Sequence, residues 1–103
     1  MADLKYYEPM YAADGPAMTE SMHSVAWLEL DEAESADKWF KQSQANMQKP
    51  FNVWTESKSP NQHFSLADEG CYNFLTGAGG FIQSSIYGFG GLRIRADGLH
   101  LKP

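Results

Sequence analysis

The last third of the chain, Pro50 to Pro103, restricts the possible folds most. It runs PFNVWTE, then a polar stretch, then NFLTGAGGFIQSSIYGFGGLRIRADGLHLKP. Glycines punctuate it, and glycine is the residue that enters left-handed backbone or a close approach without a steric cost. They place the start of a helix near Gly77 and its end at Gly88, Gly90 and Gly91. The spacing predicts a helix over 77–87, packed through Phe81, Ile82, Ser85 and Ile86. Beyond it, Leu92 to Arg95 alternates apolar and charged residues. Ala96-Asp97-Gly98 reads as a turn, and Leu99 to Leu101 alternates again. This pattern predicts a β-hairpin with one buried face. PFNVWTE reads as a short extended piece from its Phe, Val, Trp and Thr content. Ser57 to Gly70 is polar, contains a proline and a glycine, and reads as a loop.

Upstream, residues 1–15 read as extended chain and turns. Asp14-Gly15-Pro16 signals a helix start with Pro16 in the first turn. Met18, Met22, Val25 and Ala26 recur at helical spacing, with Trp27 and Leu30 widening the face, so a first helix is expected over 16–30. A second is expected over 31–47, with Asp31 and Glu34 at the spacing of a capping box. Ala33, Ala36, Phe40, Ser43 and Met47 would share one face, and the small residues at 33 and 36 would admit a close neighbour. So short a connection makes the two helices antiparallel. The expected fold is mainly α with a short C-terminal β-hairpin, an antiparallel helix pair plus a third helix. It forms a single unit: helix pair to 49, the WTE segment and loop over 50–76, the glycine-rich helix over 77–91, and the hairpin over 92–103.

Composition narrows the function classes. A chain of 103 residues suffices for one small domain. The net charge of −5 includes no basic stripe, so nucleic acid is not an expected partner. No apolar run reaches the length of a membrane span, and the first residues lack the pattern of a secretion signal, so no membrane partner is expected either. The lone cysteine, Cys71, has no partner for a disulfide within the chain. His23, His63 and His100 lie far apart and make no metal spacing. Met18, Met22 and Met47 read as core.

Glu56 is the residue best suited to chemistry. It stands two positions after Trp54, so a carboxylate that can activate water is close to an indole that can face a sugar ring. Trp54 has two readings, a wall of a sugar site or an anchor of the extended segment to the core. Thr76-Gly77-Ala78-Gly79-Gly80 also has two. It is a glycine-rich turn opening a helix, where free N–H groups attract anions, or a helix start whose packing only glycine permits. Its pattern lacks the strand and acidic residue of a dinucleotide site, and no cofactor is expected.

The strings quoted above, with YYEPMYAADGPAMTESMHSVAWLELDEAESADKWFKQSQANMQ before them, resemble the acid trehalase and protein-glucosylgalactosylhydroxylysine glucosidase group of glycoside hydrolases. Maltose and kojibiose phosphorylases are more distantly similar. The resemblance covers nearly the whole chain. It implies the closing segment of an (α/α)6 barrel and the start of its C-terminal β domain. It further implies an inverting α-glucoside hydrolase that releases terminal glucose from a disaccharide or a glucosyl-galactosyl-hydroxylysine substrate. By the same resemblance Glu56 is the general base, and Trp54, Thr76, Gly77, Gly79 and Gly80 shape the sugar site. In the phosphorylases the glycine-rich region helps hold phosphate. A glutamate at position 56 would repel that anion, so hydrolysis is the expected reaction. The general acid lies on an earlier part of the barrel. Glu8, Glu20, Asp68 and Glu69 are carboxylates here, but none stands in the acid motif. Carbohydrate is therefore the expected ligand, and the remainder of the barrel, or self-association, is expected to complete the unit. The alternative is a non-catalytic carbohydrate-binding or structural module derived from such an enzyme.

Overall fold

The computed structural model describes residues 2–13, 15–57 and 70–102. The chain is mainly helical, with a β-hairpin near its C-terminus. In order come α1 (Ala2–Tyr7), a 3-10 turn (Glu8–Met10), α2 (Thr19–Glu29), α3 (Ala33–Gln42), β1 (Met47–Gln48) and β2 (Val53–Trp54). Then follow α4 (Leu75–Gln83), a π-helical stretch (Ser84–Phe89), β3 (Leu92–Arg95) and β4 (Gly98–Leu101). None of the described helices is long and apolar enough to cross a membrane.

The N-terminal segment is helical, where the sequence suggested extended chain. Asp3 in the first turn and Lys5 in the last suit the helix dipole. No residue of α1 is buried, so the segment carries no apolar stripe from which a helix could be read. Leu4 leans on the core, and Glu8 ties the following turn to it.

The helix pair is present, but its ends and its faces differ from expectation. Helix α2 begins at Thr19, not Pro16, because the Ala17 N–H donates to Glu56 O at 2.8 Å and the Met18 N–H to Pro16 O. Its buried face is Glu20, Ser21, Ser24 and Trp27. Met18 and Met22, expected in the core, are 44% and 43% exposed. The serines win the interface because they are small. Ser24 Oγ donates to Ala36 O at 3.0 Å, and Ser21 occupies the space that a Cβ at Gly80 would need. The connection passes through Asp31 at φ 61. No capping box forms, since Glu32 precedes α3 and makes no side-chain cap. The pairs Trp27–Glu32, Ser24–Ala36 and His23–Trp39 show the antiparallel run of α2 against α3. Helix α3 stops at Gln42, so Met47 lies on a strand, half-buried, rather than on the helix.

Trp27, Ala36 and Trp39 form the buried core, with Leu4, Tyr11, Leu28 and Leu30 against it. A second aromatic layer joins Phe40 to Phe81 at 5.0 Å and to Phe89 at 4.9 Å, and Trp54 to Phe81 at 5.5 Å. Helix α4 starts at Leu75, so the glycine-rich run lies inside a helix instead of forming a turn before it. Gly88 sits within the π-helical stretch, where a Cβ would come within 3.0 Å of Leu28. The chain turns away at Gly91, at φ 65.

The expected C-terminal hairpin is present, paired Leu92↔Leu101, Arg93↔His100, Ile94↔Leu99 and Arg95↔Gly98, so that Gly98 joins β4 and the turn is Ala96-Asp97 alone. Its orientation is the reverse of the expected one. Arg93 and Arg95 both reach Glu29 at the end of α2, while Ile94, Leu99 and Leu101 are 72%, 69% and 73% exposed.

Candidate functional site

Glu56 follows β2 and is half-buried. Strands β1 and β2 pair antiparallel, Met47↔Trp54 and Gln48↔Val53, which carries residues 55 and 56 back past the end of α3. Thr55 makes an isolated antiparallel bridge to Tyr72, bringing that part of the chain alongside. The Glu56 N–H donates to Cys71 O at 3.0 Å, and its carbonyl accepts from the Ala17 N–H at 2.8 Å. Its carboxylate Oε2 accepts from the Cys71 N–H at 2.8 Å. Among the described residues no donor reaches Oε1. That oxygen is the one disposed to accept a proton.

Trp54 is half-buried and committed to the scaffold. Its indole N–H donates to Ser43 O at 3.1 Å and its ring packs tilted on Phe81. Gly77 is buried beside it, and a Cβ there would lie 2.8 Å from Trp54 Cδ1 and 2.7 Å from Ala17 O. Ala17 thus joins two expected site residues, since its N–H holds Glu56 and its carbonyl faces Gly77. Thr76 and Gly80 are placed differently, lining an open cleft of about 370 Å³ with Met18, Thr19, Ser21, Met22 and Gln83. Gly79 has nothing within 4 Å of its would-be Cβ. Gly77 packs on Trp54 and meets Glu56 through Ala17, while Gly80 is buried against Ser21 of α2, and Thr76 and Gly79 are not brought to Glu56.

Of the other carboxylates named from sequence, Glu8 and Glu20 are occupied. Glu8 accepts the indole N–H of Trp27 through Oε2 and that of Trp39 through Oε1, each at 2.9 Å, with Lys38 at 3.6 Å. Glu20 is 1% exposed and accepts from the Tyr11 hydroxyl. His23 stacks on Trp39 at 4.5 Å, and burial lowers its pKa, with Glu8 and Glu20 pulling partly the other way. Asp68, Glu69 and His63 lie outside the described residues. Cys71 is an exposed free thiol.

Several residues that build the site were not singled out from sequence. Asn46 is 1% exposed and donates from Nδ2 to Thr55 O at 3.1 Å and Glu56 O at 3.2 Å. Gly70, at φ 66, lies against the Glu56 side chain. A glycine closing a polar loop was the one available hint. Asn46 was hidden by reading the helix through to Met47.

No protein-family model matches the chain. Curated relatives do. The chain is 44% identical over 101 residues to the protein-glucosylgalactosylhydroxylysine glucosidase of Danio rerio, covering 98% of the chain and 14% of that relative. It is 41% identical over 98 residues to the kojibiose hydrolase of Flavobacterium johnsoniae, covering 93% and 13%. To the acid trehalase of Emericella nidulans it is 34% identical over 106 residues, covering 100% and 10%.

By sequence the chain is similar to a segment of these glycoside hydrolases. It spans between 10% and 14% of the length of these relatives. Within this glycosidase group, the similarity runs across the helix pair, Glu56 and the hairpin alike, because it covers nearly the whole chain. It is therefore a likeness of the entire arrangement rather than of one short motif.

Proposed function

We propose that the chain is the base-bearing segment of a larger inverting α-glucosidase, with Glu56 as the general base. The placement of Glu56 supports the reading most directly. One carboxylate oxygen is held by a backbone N–H and the other receives no described donor, on a backbone bonded at both N–H and C=O. A base needs that combination of a fixed position and a free oxygen. Water held by Oε1 would attack the anomeric carbon while an acid protonates the leaving oxygen. The two carboxyl groups of such a pair stand about 6.5–9.5 Å apart. Glu8 and Glu20 are tied to indoles and a phenol within the helix pair, so the acid is assigned to a part of the enzyme outside these residues. Gly77, packed on Trp54, supports Glu56 through Ala17, and Thr76 and Gly80 line a separate cleft. The substrate is a terminal α-glucosyl group, as in kojibiose, trehalose or glucosyl-galactosyl-hydroxylysine.

The 103-residue chain by itself is expected to release no glucose from any of the three. In the full-length enzyme carrying this segment, Glu56→Gln should lower kcat by about 10²–10⁴-fold. With glucosyl-galactosyl-hydroxylysine, whose leaving group is not glucose, the glucose first released by the unaltered enzyme should be the β anomer, read by proton NMR before mutarotation. Initial α-glucose, or a Glu56→Gln variant that keeps its kcat, would overturn the reading.

A further inference from the structure

We infer that Asn46 and Gly70 are positioning residues for the Glu56 carboxylate, an inference that rests on Glu56 acting as the base. Asn46 lies in the turn between α3 and β1, fully buried. Both contacts of its amide nitrogen go to consecutive carbonyls, Thr55 O and Glu56 O. Its own carbonyl accepts from the Thr55 N–H at 3.2 Å. With Ala17 on Glu56 O and Cys71 on Glu56 N, the backbone around the carboxylate is gripped from three separate segments. The side chain is then confined from outside. A Cβ at Gly70 would lie 2.7 Å from both Cβ and Oε2 of Glu56, so the carboxylate occupies the space another residue at 70 would fill. The Cys71 N–H selects which oxygen is held.

Asn46 carries a cost that stability alone would not select. Its Oδ1 is buried without a hydrogen-bond partner among the described residues. An orphaned buried acceptor is unfavourable and uncommon. An apolar residue would remove it, but would also remove the amide contacts to the Thr55 and Glu56 carbonyls. Holding a base to within a fraction of an ångström is a use that explains the exchange.

The test uses the full-length enzyme carrying this segment, with α-glucosyl fluoride as substrate and sodium azide as added nucleophile. Azide attacks C1 opposite the fluorine. The C–N bond forms as the C–F bond breaks, fluoride leaves with the electron pair, and no base is needed. Glu56→Ala serves as the reference. Asn46→Ser and Gly70→Ala should each lower kcat by about 10²-fold, the scale of a small misplacement, with KM changed by less than about three-fold. With the carboxylate removed, azide should restore turnover in Glu56→Ala/Asn46→Ser and in Glu56→Ala/Gly70→Ala as fully as in Glu56→Ala, and yield β-glucosyl azide. If Glu56→Ala keeps its kcat, the base reading falls and the positioning inference with it. If Glu56→Ala loses activity while Asn46→Ser and Gly70→Ala stay within about three-fold, the inference alone is overturned. Double variants that azide rescues clearly less than Glu56→Ala mean a damaged fold and also overturn it. Should Asn46→Ser not fold, Gly70→Ala decides, because it removes no hydrogen bond, and the Glu56→Ala/Gly70→Ala double variant with azide separates backbone strain at φ 66 from displacement of the carboxylate.

Discussion

At the helix pair, two tryptophans turn inward and a carboxylate follows them. Trp27 and Trp39 are buried, and both indole N–H groups reach Glu8. At the C-terminal hairpin the arrangement is inverted. Arg93 and Arg95 turn toward the body of the molecule to meet Glu29, Lys102 meets Asp31 at 2.9 Å, and the leucines and isoleucine face out. The first region is held by burial and by the indole hydrogen bonds to Glu8. The second is held by ion pairs near water, which contribute little each and weaken with salt. Apolar alternation therefore tells which residues share a face of a strand pair, but not which face turns inward.

The comparison can be broken most decisively at its buried end. Trp39→Ala removes a core side chain and one partner of Glu8, and should destabilise the chain by about 3–5 kcal/mol in urea unfolding. A loss under 1 kcal/mol would mean the core does not hold the fold. Glu8→Ala keeps both rings but strips the acceptor from two indoles. It should cost about 1–3 kcal/mol, the scale of leaving buried donors unpaired.

Acid pH sharpens the contrast further. The folded pKa of His23 is lowered from its usual value near 6.5 by burial. The unfolded chain therefore binds the proton more readily, and stability should be full above that value and fall as the pH drops below it. His23→Phe should flatten this slope below about pH 6.5, monitored by thermal unfolding. A slope unchanged by the substitution would remove His23 from the account. The pKa of Glu29 is lowered mainly by its hydrogen bond to Arg93, so its share of the hairpin attachment persists above the usual carboxylate range and is lost in acid.

At the hairpin the effects should be small. Glu29→Gln should cost no more than about 1 kcal/mol globally, while amide exchange at residues 93–100 rises and the salt dependence of that exchange disappears. Smallest of all, Leu99→Ser should change stability by less than about 0.5 kcal/mol, because the side chain is already largely in water. A large loss there would show that the hairpin's apolar face is covered in solution.

The existence of two helices, a third glycine-rich helix and a terminal hairpin was legible because periodicity and glycine placement are local properties. So was the pairing of Glu56 with Trp54, since it is a matter of two positions in sequence. Which face of α2 is buried was not legible. Serine and glycine won the contact with α3 and α4 because close approach outweighs side-chain hydrophobicity there, as Ser24 with Ala36 and Ser21 with Gly80 show. The start of α2 was likewise settled by Glu56, nearly forty residues away, accepting the Ala17 N–H. The buried Asn46, the double indole on Glu8 and the outward hairpin all depend on partners distant in sequence. Local propensities state what each segment can form. Its ends, its inward face and the partners of its polar groups follow from the satisfaction of buried hydrogen bonds and from close packing, which exist only once the segments meet.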